Sequence, residues 1–199
     1  MIARERHGEV VLLRLEHGKA NALDTEFCLT LADALAAERP GPGDGRALVL
    51  TGRGANFSAG VDLPRLLAGG RAYLGAFLPA LSAVLFELIS HPLPVVAAIN
   101  GHAIAGGCVL ACACDRRLMV DATTADGSPC PLRIGAPELT VGVPFPRLAL
   151  DALTLATSPA TRAELVLGGT LFAPDEALAR ELVAALHPAD TLVDGMRGS

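Results

Sequence analysis

Ile99-Asn100-Gly101-His102-Ala103-Ile104-Ala105-Gly106-Gly107-Cys108-Val109 is the stretch on which the reading of this chain turns. The apolar run Pro94-Val95-Val96-Ala97-Ala98-Ile99 leads into it and reads as a buried strand. Residues 108–114 follow, small and apolar enough for a buried helix. Glycines between the two allow a sharp turn and let another group approach the backbone. A strand, a glycine-rich turn and a helix start gather free N–H groups at one point. Such a point attracts an anion, or an oxygen that is becoming one. The alternative is plainer: Gly106 and Gly107 only permit close helix packing.

The chain on either side repeats the pattern. Ala47-Leu48-Val49-Leu50 reads as a strand that runs into Thr51-Gly52-Arg53-Gly54-Ala55-Asn56-Phe57-Ser58-Ala59-Gly60-Val61-Asp62-Leu63, a second glycine-rich turn before a short helix. Upstream, residues 2–6 and 10–16 read as strands, and His17-Gly18-Lys19-Ala20-Asn21-Ala22-Leu23 as a polar loop. Asp24 is placed to cap a helix over residues 25–37, which Pro40-Gly41-Pro42-Gly43 ends. A longer helix is expected over 71–90, a strand over 115–120 and an extended piece at Arg133-Ile134-Gly135. Helices at 147–156, 159–167 and 174–180 and a strand at 182–186 complete the order. Alternation of this kind implies a layered α/β fold with parallel strands. Sites in such folds form at the carboxyl ends of strands, and both glycine-rich turns lie at such ends.

Composition narrows the function classes. The 199 residues carry a net charge of −5 and are 51% hydrophobic, with a mean hydropathy of +0.45. Basic residues are scattered without interleaved aromatics, which argues against nucleic acid as partner. The longest apolar run, residues 74–93, is interrupted by Pro79, Ser82, Glu87, Ser90, His91 and Pro92. It is therefore not read as a membrane span. The N-terminus has no apolar core for a signal peptide, so a cytoplasmic location is expected. Cys28, Cys108, Cys112, Cys114 and Cys130 are odd in number and read as reduced thiols rather than a metal set. Phosphate-loop and H-E-x-x-H patterns are absent. Ser58 lacks the first glycine of a hydrolase elbow, and His102 reads as a turn or packing residue.

Two backbone donors, Val61 after Ser58-Ala59-Gly60 and Gly106 after Ala105, are natural candidates for an oxyanion hole. An enolate held there needs a base, and Glu138 is the candidate carboxylate. Its apolar neighbours on the C-terminal side would raise its pKa. The competing reading is an exposed glutamate favoured at a helix start.

Taken together, Lys19-Ala20-Asn21-Ala22-Leu23, Leu48-Val49-Leu50-Thr51-Gly52, Phe57–Leu63, Pro94–Asn100, Gly101–Cys108, Cys114-Asp115 and Pro137-Glu138 occur in one order that resembles the crotonase, or enoyl-CoA hydratase/isomerase, superfamily. The resemblance covers roughly residues 8–190. It implies a spiral of strand–strand–helix turns over residues 1–187. Residues 188–199 would begin a C-terminal helical trimerisation segment that is short or missing. It implies an acyl-CoA thioester substrate and no separate cofactor, and a homotrimer or hexamer. The thioester oxygen would sit between the N–H groups of Val61 and Gly106. Lys19, Ala20 and Asn21 would lie on the adenine side of coenzyme A. Ala59, Gly60, Asp62, Leu63, Gly107 and Val109 would line the rest of the substrate.

Four departures from the family pattern stand out. Val109 stands where a hydratase of this family would carry its first glutamate, while Glu138 matches the second. Val143-Pro144-Phe145-Pro146-Arg147 replaces Gly-Gly-Thr-Gln-Arg and is closer to the isomerase branch. Residues 121–131 form a loop longer than usual, and Pro64 replaces a frequent lysine. A single carboxylate suits moving one proton between two carbons. The expectation is a Δ3-to-Δ2 enoyl-CoA isomerase. The alternatives are a hydratase, hydrolase or decarboxylase on the same scaffold, or a non-catalytic acyl-CoA binder.

Overall fold

The computed structural model describes residues 1–41, 45–121 and 131–193. The long loop and Cys130 fall in 122–130, outside the described residues. Two sheets organise the chain. The larger holds β1 (Ile2–His7), β2 (Val10–Leu15), β3 (Ala47–Gly52), β5 (Val95–Ile99), β7 (Arg116–Val120) and β10 (Ala185–His187), in the order β1-β2-β3-β5-β7-β10. Its first pair is antiparallel, and every later pairing is parallel. The smaller holds β4 (Asn56–Ser58), β6 (His102–Ile104), β8 (Ile134–Gly135) and β9 (Leu171–Phe172) in that order.

After β1 and β2, which both join the larger sheet, three successive turns of the spiral give one strand to each sheet. β3 then β4, β5 then β6, and β7 then β8 make three successive pairs, each followed by a helical segment. β4, β6 and β9 correct the sequence reading, which places the first two inside glycine-rich turns. Two or three residues are too few to show alternation, so only pairing across the chain reveals them.

Among the described residues six α-helices pack on this frame: α1 (Thr25–Ala37), α2 (Leu63–Ile89), α3 (Gly106–Cys112), α4 (Arg147–Ala156), α5 (Pro159–Arg162) and α6 (Pro174–Ala179). Asp24 caps α1 by accepting the Phe27 N–H at 2.7 Å, as its residue type suggests. Phe27, Leu31 and Leu35 on one face of α1 are fully buried, each side chain contributing about 1.5–3 kcal/mol by leaving water. α2 holds two helical segments, as the sequence reading expects: a short one from Leu63 and a longer one ending at Ile89, joined across Gly70, whose backbone (φ 55°, ψ −146°) is not helical, with Pro79 inside the longer segment. By length and composition α2 is long and apolar enough to cross a membrane. In this fold its C-terminal half buries Phe77, Leu81, Val84, Leu85 and Leu88 in the core.

α3 begins two residues earlier than expected, so Gly106 and Gly107 belong to the helix. All seven of its residues are buried. A Cβ on Gly107 would run into the Ser58 carbonyl. Gly107→Ala is therefore expected to destabilise the protein by about 2–3 kcal/mol, an overpacking cost. Urea unfolding of the variant at neutral pH checks this.

Candidate active site

The two glycine-rich turns meet at the start of α3. A Cβ on Gly60 (φ 87°) would lie 2.9 Å from the Gly106 nitrogen and 2.7 Å from the Ile104 carbonyl. Only glycine lets these backbones touch. Leu23 stands behind both. Its N–H donates to the Gly60 carbonyl at 2.8 Å, and its carbonyl accepts the Asp62 N–H at 3.0 Å. These two bonds make a one-residue parallel bridge with Val61. Successive peptide groups in extended chain alternate in direction. The Val61 N–H thus faces away from Leu23 and has no acceptor among the described residues. The Gly106 N–H, first in its helix, has none either.

Ala105, just before Gly106, is held at φ 52° and ψ −125°. For a residue with a side chain this costs about 1–3 kcal/mol. Two bonds hold it there: its N–H donates to the Gly135 carbonyl at 2.7 Å, and its carbonyl accepts the Val109 N–H at 3.1 Å.

β8 brings the chain that carries Glu138 alongside β6 and the start of α3. β6 pairs with β8 through Ile104 and Gly135, and Glu138 opens a 3₁₀ turn (Glu138–Val141) three residues further on. It is 9% exposed, and its Oε2 is buried with no hydrogen-bond partner among the described residues. Burial pushes its carboxyl up to about 7, against a small opposing pull from its own N–H. The exposed helix-start reading is thereby overturned. The Cys108 thiol, hydrogen-bonded to Cys112 and buried, is pushed well above its ordinary value, and the Glu138 charge adds to that. Glu138 is thus in electrostatic reach of α3. Val109, on the same helix, is apolar and 2% exposed.

The remaining candidates divide. Ala59 and Leu63 are exposed, and Val61 and Asp62 half-buried, on the rim of the first turn. Asp62 caps α2 by accepting the Arg65 N–H at 3.0 Å. Lys19 is exposed and lines an open cavity of about 280 Å³ with Glu16, Gly18, Arg53 and Gly54. The Ala20 carbonyl accepts the Ala59 N–H. Asn21 is 1% exposed, and its side chain is fully committed to the chain itself. Nδ2 donates to the Asn56 and Phe57 carbonyls, and Oδ1 accepts the His17 N–H.

Arg65 escapes a reading by motif. It pairs with Asp24 at 2.9 Å and Glu26 at 2.6 Å and lies over the Tyr73 ring. It latches the segment that follows Val61 onto the start of α1. Burial pulls the Asp24 carboxyl upward, but the Phe27 N–H, His17 and Arg65 outweigh it and hold it below its ordinary value. No signal short of the folded contacts links residues 41 positions apart.

Residues 5–198 match the sequence profile of the enoyl-CoA hydratase/isomerase family. The chain belongs to that family. A Thermus thermophilus protein assigned as an enoyl-CoA hydratase is 33% identical over 193 residues, 94% of this chain and 71% of that protein. A carnitinyl-CoA dehydratase from Salmonella paratyphi A is 32% identical over 96% of this chain and 70% of its own length. Among solved structures, a Mycobacterium tuberculosis protein assigned as an enoyl-CoA hydratase superposes with a TM-score of 0.84 at 27% identity, covering 98% of this chain and 78% of that one. An enoyl-CoA hydratase/carnitine racemase from Magnetospirillum magneticum gives 0.84 at 26% identity, over 98% and 71% of the two chains. The spiral of two interleaved sheets is the crotonase fold, and the protein is an enzyme of the enoyl-CoA hydratase/isomerase family.

Proposed function

We propose that this enzyme is a Δ3-to-Δ2 enoyl-CoA isomerase with Glu138 as its single proton shuttle. The Glu138 carboxylate removes a proton from the α carbon of a 3-enoyl thioester. The electron pair moves toward the thioester carbonyl, whose oxygen becomes anionic between the Val61 and Gly106 N–H groups. The double bond then forms between the α and β carbons as the Glu138 carboxylic acid returns the proton to the γ carbon. No water is consumed. Coenzyme A enters as part of the substrate, with Lys19 and Ala20 toward its adenine side.

One observation carries the reading. A buried carboxylate with an unpartnered oxygen stands near α3, and that helix offers apolar Val109 instead of a second carboxylate. Its pKa of about 7 lets one group both take and give a proton near neutrality. Activity is therefore expected to rise as pH climbs through 7, because the carboxylate is the form that takes the proton. A kcat/KM profile from pH 5.5 to 9 checks this. A curve flat across that range removes Glu138 as the base.

The names of the relatives favour a second reading, hydration of 2-enoyl-CoA. Incubation with a 3-enoyl-CoA and separately with a 2-enoyl-CoA separates the two. Fast hydration of the latter, undiminished by Glu138→Gln, overturns the isomerase assignment.

A further inference from the structure

We infer that Asn21 and Ser58 are positioning residues: together they hold the turn that aims the Val61 N–H at the substrate oxygen. The inference rests on the oxyanion role of Val61 given above. Ser58 is fully buried and sits at the centre of two loops. Its Oγ donates to the Asn21 carbonyl at 2.8 Å and accepts the Gly60 N–H at 3.2 Å. One hydroxyl thus ties the residue before Val61 to the loop behind it. Asn21 completes the tie from the other side. Its Nδ2 reaches the Asn56 and Phe57 carbonyls at 3.1 Å each, and its Oδ1 accepts the His17 N–H at 2.8 Å. Its backbone lies at φ 48°, a conformation asparagine tolerates better than most residues with a side chain. Two flanking backbone bonds, Ala59 N–H to the Ala20 carbonyl and Leu23 N–H to the Gly60 carbonyl, make the loops run together from 56 to 62.

The consequence for catalysis is geometric. An oxyanion donor acts only when its N–H is fixed where the charge will develop. Without the Ser58 hydroxyl the Gly60 peptide loses its only side-chain anchor among the described residues. Gly60 at φ 87° then has wide conformational freedom, and the Val61 N–H follows it. Neither side chain touches substrate. Their removal should weaken stabilisation of the enolate more than binding of the coenzyme A portion.

The test uses a 3-oxoacyl-CoA, whose enolate absorbs in the near ultraviolet, alongside coenzyme A itself as a ground-state ligand. The purified wild-type chain should bind the 3-oxoacyl-CoA and raise its enolate fraction. Ser58→Ala and Asn21→Gly, the latter keeping the left-handed backbone, should each lower that fraction about tenfold, the scale of one lost hydrogen bond. Each should leave the coenzyme A dissociation constant within about twofold, by the same logic. Ser58→Cys, which keeps a weak donor and acceptor at the same place, should recover part of the signal. An unchanged enolate fraction in folded Ser58→Ala and Asn21→Gly overturns the inference. So does a loss of coenzyme A affinity in step with enolate, since a merely structural role predicts that. If wild type itself raises no enolate, the oxyanion reading of Val61 fails instead.

Discussion

Glu138→Gln is expected to lower kcat for isomerisation of a 3-enoyl-CoA by about a thousandfold, within the range that general acid–base catalysis contributes. The amide keeps the shape of the side chain but cannot take a proton from carbon at neutral pH. The KM should change little, because in the proposed mechanism Glu138 acts at the α carbon and not on the coenzyme A portion. A second, independent effect follows from burial. The folded-state pKa of about 7 lies above the ordinary carboxylate value. Above that value the unfolded chain has already lost its proton, while the folded protein still holds one. Protonated Glu138 therefore costs the fold nothing at acidic pH, and its contribution turns unfavourable as pH rises through the window from the ordinary value to about 7. Above pH 7 the ionised group costs the fold on the order of 3 kcal/mol. Glutamine carries no charge to bury. Glu138→Gln should accordingly be more stable than wild type at pH 8 and closer to it at pH 5. Unfolding in urea at both pH values, beside kcat, measures the two effects on one variant. A variant that loses activity without gaining alkaline stability would show that Glu138 is solvated in the folded protein, against its 9% exposure.

The same residue marks where sequence reading reaches its limit. Glu138 can be picked out by its place after Pro137, but its burial cannot. The 3₁₀ turn that carries Glu138 is packed by chain about thirty residues downstream: the turn Ala163–Leu167 lies on it, and a Cβ on Gly169 would meet Thr140. Nothing in the window around 138 encodes that contact. By contrast, α1 is legible to the residue, because its cap at Asp24, its apolar face and its Pro40 stop are all local signals. The oxyanion candidates lie between these extremes. The glycines at 60, 106 and 107 signal close approach, but which backbone they approach is a tertiary fact. Asn21 shows the cost of that gap. The resemblance sets it beside coenzyme A, and in the fold its side chain is a buried tie between two loops.

Gly106→Pro tests the oxyanion hole most directly. Proline lacks the N–H, and the first position of a helix is where a helix tolerates it best. The helical bonds of α3 begin at Val109 N–H, so none is lost. Space is the complication. A Cβ at 106 lies 2.9 Å from the Leu23 Cδ1 and 3.5 Å from both Gly60 Cα and Val61 Cγ2. The first contact is the tip of a flexible side chain, which can turn aside. Ala105 must also hold φ 52° in front of a proline ring, which restricts the preceding residue. Gly106→Ala is therefore the necessary partner variant, since it adds the same Cβ and keeps the N–H. The alanine variant should retain most of its turnover. The proline variant should fall a further hundredfold or more in kcat, about 3 kcal/mol of transition-state stabilisation. Circular dichroism and a melting curve establish that both are folded before turnover is compared. Equal activity in folded Gly106→Ala and Gly106→Pro would mean that this N–H never meets the developing charge. The anion would then have to be held by Val61 and by groups outside the turn. A large gap between them, with coenzyme A affinity preserved in both, assigns the loss to one hydrogen atom on one backbone nitrogen.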